Sequence, residues 1–223
     1  MAPVATTRTE CRGERGLKGD ELGIVAELSH LHRQPEEPFA PASPGRPLAY
    51  GEAVTDRPDP LTFRPAATDD WDRIWPIFSA VVSTGDTYAY APDISAEEAA
   101  AAWMPDATVG RTTYVAELDG QIVATAYVKP NAPGLGSHVA NAGWMVAPDA
   151  AGHGVGRRFG TWVIDQAVAR GFSHMQFNAV VASNERAVAL WKSLGFEVVG
   201  TVPEAFDHAV LGLTAVHIMA KRL

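Results

Sequence analysis

Between Val146 and Arg158 the chain reads VAPDAAGHGVGRR, so Gly152, Gly154 and Gly156 fall where an apolar strand hands over to a helical pattern. At such a junction unpaired backbone N–H groups and the positive end of the helix dipole point at one spot, and glycine lets a phosphate approach without a Cβ in the way. A pyrophosphate suits this arrangement. A tight turn serving only the fold is the alternative reading of the same residues. Spacing excludes two other phosphate motifs. The third position after Gly156 is Phe159 rather than the glycine of a dinucleotide fingerprint, and no Gly-Lys-Ser/Thr end completes a nucleoside-triphosphate loop.

The elements that must position this turn alternate strand with helix from Leu61 onward. Strands are expected over Leu61–Arg64, Thr112–Leu118, Gln121–Lys129, His138–Val146, Phe172–Val181, Phe196–Val202 and Leu213–Ala220. Asp119-Gly120 between the second and third is a strong two-residue hairpin signal. A helix opens at Thr68, with Asp69 and Asp70 as first-turn acids, and runs to Ser83 with Trp71, Ile74, Trp75, Phe78 and Val82 on one face and Pro76 as a kink point. Ser95 and Glu98 form a capping box for a second helix ending near Trp103. A third spans Gly154–Arg170, stopped by Gly171, and a fourth Asn184–Leu194, stopped by Gly195. The order βααβββαβαββ predicts an α/β fold in one domain over residues 61–223, a mixed sheet of about seven strands flanked by four helices.

Residues 1–60 differ in kind. They contain 8 of the 16 prolines, which deny a segment ladder donors and helix interiors, so a disordered or extended lead-in is expected. Lys and Arg total 18 against 26 for Asp and Glu, a net charge of −8 that argues against nucleic acid as a partner. Cys11, the single cysteine, can form neither an internal disulfide nor a paired-cysteine metal site, and no metal is expected from the scattered histidines. No apolar run reaches the ~18–20 residues that span a bilayer, and the N-terminus lacks the apolar core of a secretory signal, so a cytoplasmic protein without membrane contact is expected.

The glycine turn resembles the pyrophosphate loop of the GNAT superfamily of N-acetyltransferases, Gln/Arg-x-x-Gly-x-Gly/Ala, with Gly154 and Gly156 matching its glycines and Ala151 standing where Gln or Arg is usual. A second segment, NERAVALWKSLGF from Asn184 to Phe196, is similar to that family's Asn-x-x-Ala-x-x-Leu-Tyr-x-x-x-Gly-Phe helix at Asn184, Ala187, Leu190, Gly195 and Phe196. In its succession of segments the chain most resembles the phosphinothricin and L-amino-acid N-acetyltransferase group. The resemblance implies an acyl-CoA N-acyltransferase fold and acetyl-CoA as cofactor. It implies that the backbone of Met145, Val146 and Ala147 pairs with the pantetheine arm, and that Ala151, Gly152, His153, Gly154, Val155, Gly156 and Arg157 receive the pyrophosphate. Asn184, Ala187 and Trp191 would flank the cofactor from the last helix.

Acetyl transfer to an amine also needs the amine's proton removed and the thiolate protonated. The group's usual glutamate falls here on Asn141 and its usual tyrosine on Trp191, and neither an amide nor an indole can move a proton at neutral pH. Replacement candidates are His138, on the same strand but of opposite parity to Asn141, and Tyr88. The resemblance places Asp86, Thr87, Tyr88 and Tyr90, between the first two helices, at the acceptor; Asn141 and Asn178 are further acceptor contacts, each also readable as a structural amide. The expected function is transfer of an acetyl group from acetyl-CoA to a primary amine of a small molecule, an amino acid or analogue, by direct attack. Acetylation of a protein N-terminus or lysine, and a CoA-binding sensor that has lost activity, are the rivals. A homodimer is left open.

Overall fold

The computed structural model describes residues 59–223, and the lead-in expected over residues 1–60 lies almost wholly outside them. Seven strands and four helices follow in chain order: β1 (Leu61–Pro65), α1 (Trp71–Val82), α2 (Ala96–Trp103), β2 (Thr112–Leu118), β3 (Gln121–Pro130), β4 (Val139–Val146), α3 (Val155–Ala169), β5 (His174–Val181), α4 (Glu185–Ser193), β6 (Glu197–His208) and β7 (Gly212–Arg222). They match the expected order. Local chemistry accounts for the boundaries. Asp119 and Gly120 both take left-handed φ, +49° and +78°, as the two-residue β2–β3 turn requires. Ser95 and Glu98 cap α2 reciprocally, each backbone N–H donating to the other's side chain at 3.1 and 3.2 Å. The Oδ1 of Asn184 accepts from the N–H of Ala187 and so caps α4.

The strands form one sheet in the order β1-β2-β3-β4-β5-β7-β6. Only the β4–β5 pair is parallel, and its register covers Val139, Ala140 and Asn141 against His174, Met175 and Gln176. Beyond Asn141, β4 stays paired with β3 as far as Val146 but has no strand partner on its other side among the described residues. The sheet is splayed there. On one face, α3 and α4 pack Phe159, Val163 and Trp191 against Met175, Phe177 and Phe196. On the other, α1 and α2 bring Ile74, Phe78 and Trp103 onto Val115 and Met145. Each fully buried large apolar side chain contributes about 1.5–3 kcal/mol to the packing on the two faces.

Most boundaries fall within one or two residues of the sequence expectation, and two differ by more. Asp70 is not simply a first-turn acid: its Oδ2 accepts from the N–H of Ala67 at 2.8 Å, ending a short 3-10 turn over Thr68–Asp70 that precedes α1. The strand expected to stop at Val202 runs on to His208, because three residues, Pro203–Ala205, bulge out and pairing resumes at Phe206 opposite Thr214. Glu204 takes φ +51° in this bulge, a conformation L-residues seldom adopt.

Buried Asp70 also accepts both guanidinium nitrogens of Arg64, at 2.6 and 2.8 Å, while Arg64 and Arg73 share Glu117 at 2.8 and 3.1 Å. The cluster ties β1, α1 and β2 together. Hydrogen bonds from Arg64 are the main cause holding the carboxyls of Asp70 and Glu117 below their ordinary values. A depressed pKa contributes stability above the unfolded carboxylate range that is lost as pH falls through the folded value. Asp70→Ala is therefore expected to cost about 1–2 kcal/mol at neutral pH, half-open Arg64 keeping the loss below that of a sealed pair. Urea unfolding at pH 7 and in acid checks this, the gap from wild type narrowing as pH falls.

Candidate active site

Backbone alternation decides which groups of β4 face the splay. The N–H of Ala147 donates to Val123, and the β3–β4 register then gives Met145, Gly143 and Asn141 to β3 as well. The N–H and C=O groups of Ala142, Trp144 and Val146 are thus directed away from β3, into the open side. The open edge therefore runs through Trp144 and Val146, whereas Met145 and Ala147, expected among the pairing residues, direct their N–H groups to β3, the Ala147 carbonyl accepting from the N–H of Ala150 at 3.0 Å. Tyr88 meets that edge. Its hydroxyl donates to the carbonyl of Trp144 at 2.6 Å and accepts from the N–H of Trp144 at 2.9 Å, so one phenol satisfies both backbone groups.

Two cavities flank this point. One, of about 320 Å³, is lined by Tyr88, Tyr90, Tyr127, Asn141, Phe177, Asn178 and Phe206. The other, of about 230 Å³, runs along Met145 and Val146 to Gly156 and Leu190. Thr87, Trp144, Asn184, Ala187 and Trp191 line both, forming a shared wall. Trp191 is buried in that wall, its ring centre 4.8 Å from Phe177 and 4.9 Å from Trp144. The indole N–H of Trp144 is the one buried side-chain polar atom without a partner among the described residues.

At the far end of the smaller cavity stands the glycine turn. Gly152 and Gly154 take φ +86° and +78°, and a Cβ on either would meet nothing within 4 Å. Ala151 through Gly154 are exposed, and the N–H groups of Gly152, His153 and Gly154 donate to no described residue. Val155 is buried as α3 begins, Gly156 reaches the cavity, and Arg157 is exposed on the first turn. Free donors, left-handed glycines and a helix N-terminus together form an anion cradle that opens toward the free edge of β4.

The remaining candidates separate into those the fold gathers and those it does not. Thr87, Tyr88, Asn141 and Asn178 line the larger cavity, and Asp86 sits at a third cavity beside it with Arg186 and His208. Asn141 is spoken for at both ends: Oδ1 accepts from the Tyr127 hydroxyl at 3.2 Å and Nδ2 donates to the carbonyl of Gln176 at 3.0 Å. It pins the last paired residues of β4 and β5. His138 stands apart, exposed ahead of β4 with Nδ1 3.1 Å from the carbonyl of Leu135, and lines none of these cavities. Burial, foremost, pushes the Tyr88 phenol well above its ordinary value and Tyr127 up to about 12, so both stay protonated at neutral pH.

Sequence reasoning missed Tyr127, Trp144, Phe177 and Phe206. The first three sit on strands it drew correctly, where alternation marks a face but not which face borders a splay. Phe206 lies beyond a bulge that no local signal announced.

Residues 71–196 match the model of the acetyltransferase (GNAT) family, and the chain belongs to that family. It is 34% identical over 84 residues to the N-acetyltransferase aca1 of Schizosaccharomyces pombe, a stretch covering 38% of this chain and 40% of that relative. A solved GCN5-related N-acetyltransferase from Kribbella flavida shares 47% identity at a TM-score of 0.69, over 73% of this chain and 98% of that one. A phosphinothricin acetyltransferase from Sinorhizobium meliloti, solved in complex with AcCoA, is 22% identical and shares the fold at a TM-score of 0.66, over 73% and 88% of the two chains.

Asn141→Ala should cost about 1–3 kcal/mol, since it strands the Tyr127 hydroxyl and a strand carbonyl away from water. Asn178, exposed and paired with Asn131 at 2.8 Å, should tolerate alanine within about 0.5 kcal/mol. Thermal unfolding of the two variants side by side provides the comparison.

Proposed function

We propose that the chain transfers the acetyl group of acetyl-CoA to the primary amine of a small molecule, by direct attack within a ternary complex. The observation that carries this reading is the pair of cavities meeting at Trp144, one leading to the glycine cradle and the other lined by aromatic residues. The residues present fit the donor. Exposed N–H groups at Gly152, His153 and Gly154 would hold its pyrophosphate, and the slot between Val146 and Leu190 its apolar arm. When bound, the donor supplies an activated acetyl carbonyl. With the Trp144 backbone held by Tyr88, the N–H of Val146 on the same edge offers a backbone donor to orient and polarise it, a role that needs no particular side chain.

The size and roof of the larger cavity favour a small acceptor over a protein. The N–H of Ala209, at the tip of the β6–β7 hairpin, donates to the carbonyl of Gly85 at 3.0 Å and links the hairpin to the loop after α1. That link narrows the approach to Tyr88. The likeness to a phosphinothricin acetyltransferase also supports a small-molecule amine, an amino acid or an analogue among the options.

Two sets of variants test the reading. A Cβ at Gly156 would stand 3.6 Å from Leu190 and Val146, so Gly156→Ala should keep acetyl-CoA affinity, whereas Gly156→Leu fills the slot and should lose about tenfold or more. Calorimetric titration of folded variants reads this directly. Unchanged affinity in Gly156→Leu would contradict the assignment of the slot. In steady-state assays Trp191→Phe should keep most of the turnover, because the indole contributes shape to the wall. Tyr88→Phe, which frees the Trp144 backbone and removes a proton-bearing hydroxyl, should lose turnover by a factor corresponding to about 1–3 kcal/mol.

A further inference from the structure

We infer that the acceptor is a small monoamine carried on an apolar, aromatic-sized body, without a carboxylate or phosphate, and that it reacts after entering the larger cavity as the free base. This rests on the amine-acetyltransferase reading above and narrows it. Among the described residues none that lines the cavity is Asp, Glu, Lys, Arg or His. Its walls are the rings of Tyr88, Tyr90, Tyr127, Phe177, Trp191 and Phe206, the last placed opposite Thr214 by the bulge at Pro203–Ala205.

Most of the polar groups that remain are already committed, the buried indole N–H of Trp144, a neutral donor, being the exception. Tyr88 is bound to Trp144, Tyr127 to Asn141, and Asn141 to Gln176; Asn178 accepts from Gln176 at 2.9 Å and donates to Asn131. The charged groups nearby lie outside the lining. Asp86, Glu185, Arg186 and His208 border the neighbouring cavity, where the Asp86 carboxylate accepts from the hydroxyls of Thr84 and Thr87 at 2.6 and 2.7 Å. Arg111, felt electrostatically by Tyr90 and Tyr127, donates to the carbonyls of Met104 and Ala101 at 2.7 and 2.6 Å. An amino acid would therefore bury its carboxylate without a cation.

An ammonium entering the same cavity would find aromatic faces but no anion, and attraction by the rings is weaker than the cost of stripping water from an unpaired charge. The cavity thus selects the uncharged nitrogen, leaving its extra proton in bulk water before entry. The absence of a carboxylate base at Asn141 follows naturally: no wall residue has to take that proton. The nitrogen lone pair forms the new bond to the thioester carbonyl carbon and the C–S bond breaks. The nitrogen's remaining surplus proton leaves with the departing sulfur, giving an amide and a free thiol. The chamber's volume, about 320 Å³, is at the small end for ligand sites and matches a single-ring amine.

The test compares 2-phenylethylamine with phenylalanine and with phenylalanine amide, using the full chain and acetyl-CoA. The monoamine should exceed phenylalanine in kcat/KM by about 100-fold or more, the consequence of burying one unpaired carboxylate. The amide, which lacks that charge, should recover most of the difference. For two ring-matched monoamines of unequal basicity, log kcat/KM should rise with slope one and level off at each amine's own solution pKa. Equal or faster turnover of phenylalanine, or one plateau pH common to both amines, would overturn the inference while leaving an amine acetyltransferase. Failure of every acceptor while acetyl-CoA still binds in calorimetry would overturn the underlying reading as well.

Discussion

The structure depends on a pairing that stops. β4 and β5 lie parallel for three residue pairs and then part after Asn141 and Gln176. In a sheet whose other strands are antiparallel, the separation leaves a run of backbone donors and acceptors with no strand to satisfy them, a costly state inside a protein unless something else takes their place. Tyr88 takes that place at Trp144. The same opening gives the glycine turn a path to the centre of the molecule, because the strand that ends at Val146 leads straight into it. The slot along Met145 and Val146, the aromatic chamber and their shared wall are all consequences of one interrupted ladder.

Keeping the ladder interrupted takes rigid support. Asn141 clamps the final paired residues, its amide reaching the β5 backbone on one side and Tyr127 on the other. On the two faces of the sheet, Trp103 donates its indole N–H to Thr125 at 2.8 Å below the chamber, and Phe177 stacks on Phe196 at 4.4 Å beside Trp191. These contacts hold the walls apart as well as together. A residue type that proton chemistry cannot use, asparagine at position 141, is well suited to this load because it both donates and accepts.

Much of this was legible in the sequence. All seven strands and four helices followed from alternation, helical periodicity, the Asp119-Gly120 turn, the cap at Ser95 and the stops at Gly171 and Gly195, since each is a local preference the fold respects. The glycine cradle was legible for the same reason: left-handed φ at Gly152 and Gly154 is a demand that glycine meets without strain. The aromatic chamber was not. Its walls come from β3, β4, β5, β6 and the loop after α1, and their meeting depends on where a parallel pair parts and on a bulge at Pro203–Ala205. His138 illustrates the limit from the other side, because its titratable chemistry was readable while its position outside the cavities was not.

Hydrogen exchange at single-residue resolution, with and without acetyl-CoA, tests the central claim most directly, namely that the unpaired edge of β4 and the glycine turn together hold the donor. Bound donor should slow exchange at the N–H groups of Val146 and of Gly152 through Gly156, while the N–H groups of Met145 and Ala147, already bonded to β3, should change little. Protection confined to other segments, with Val146 and the glycine turn exchanging as fast as in the free protein, would contradict the account.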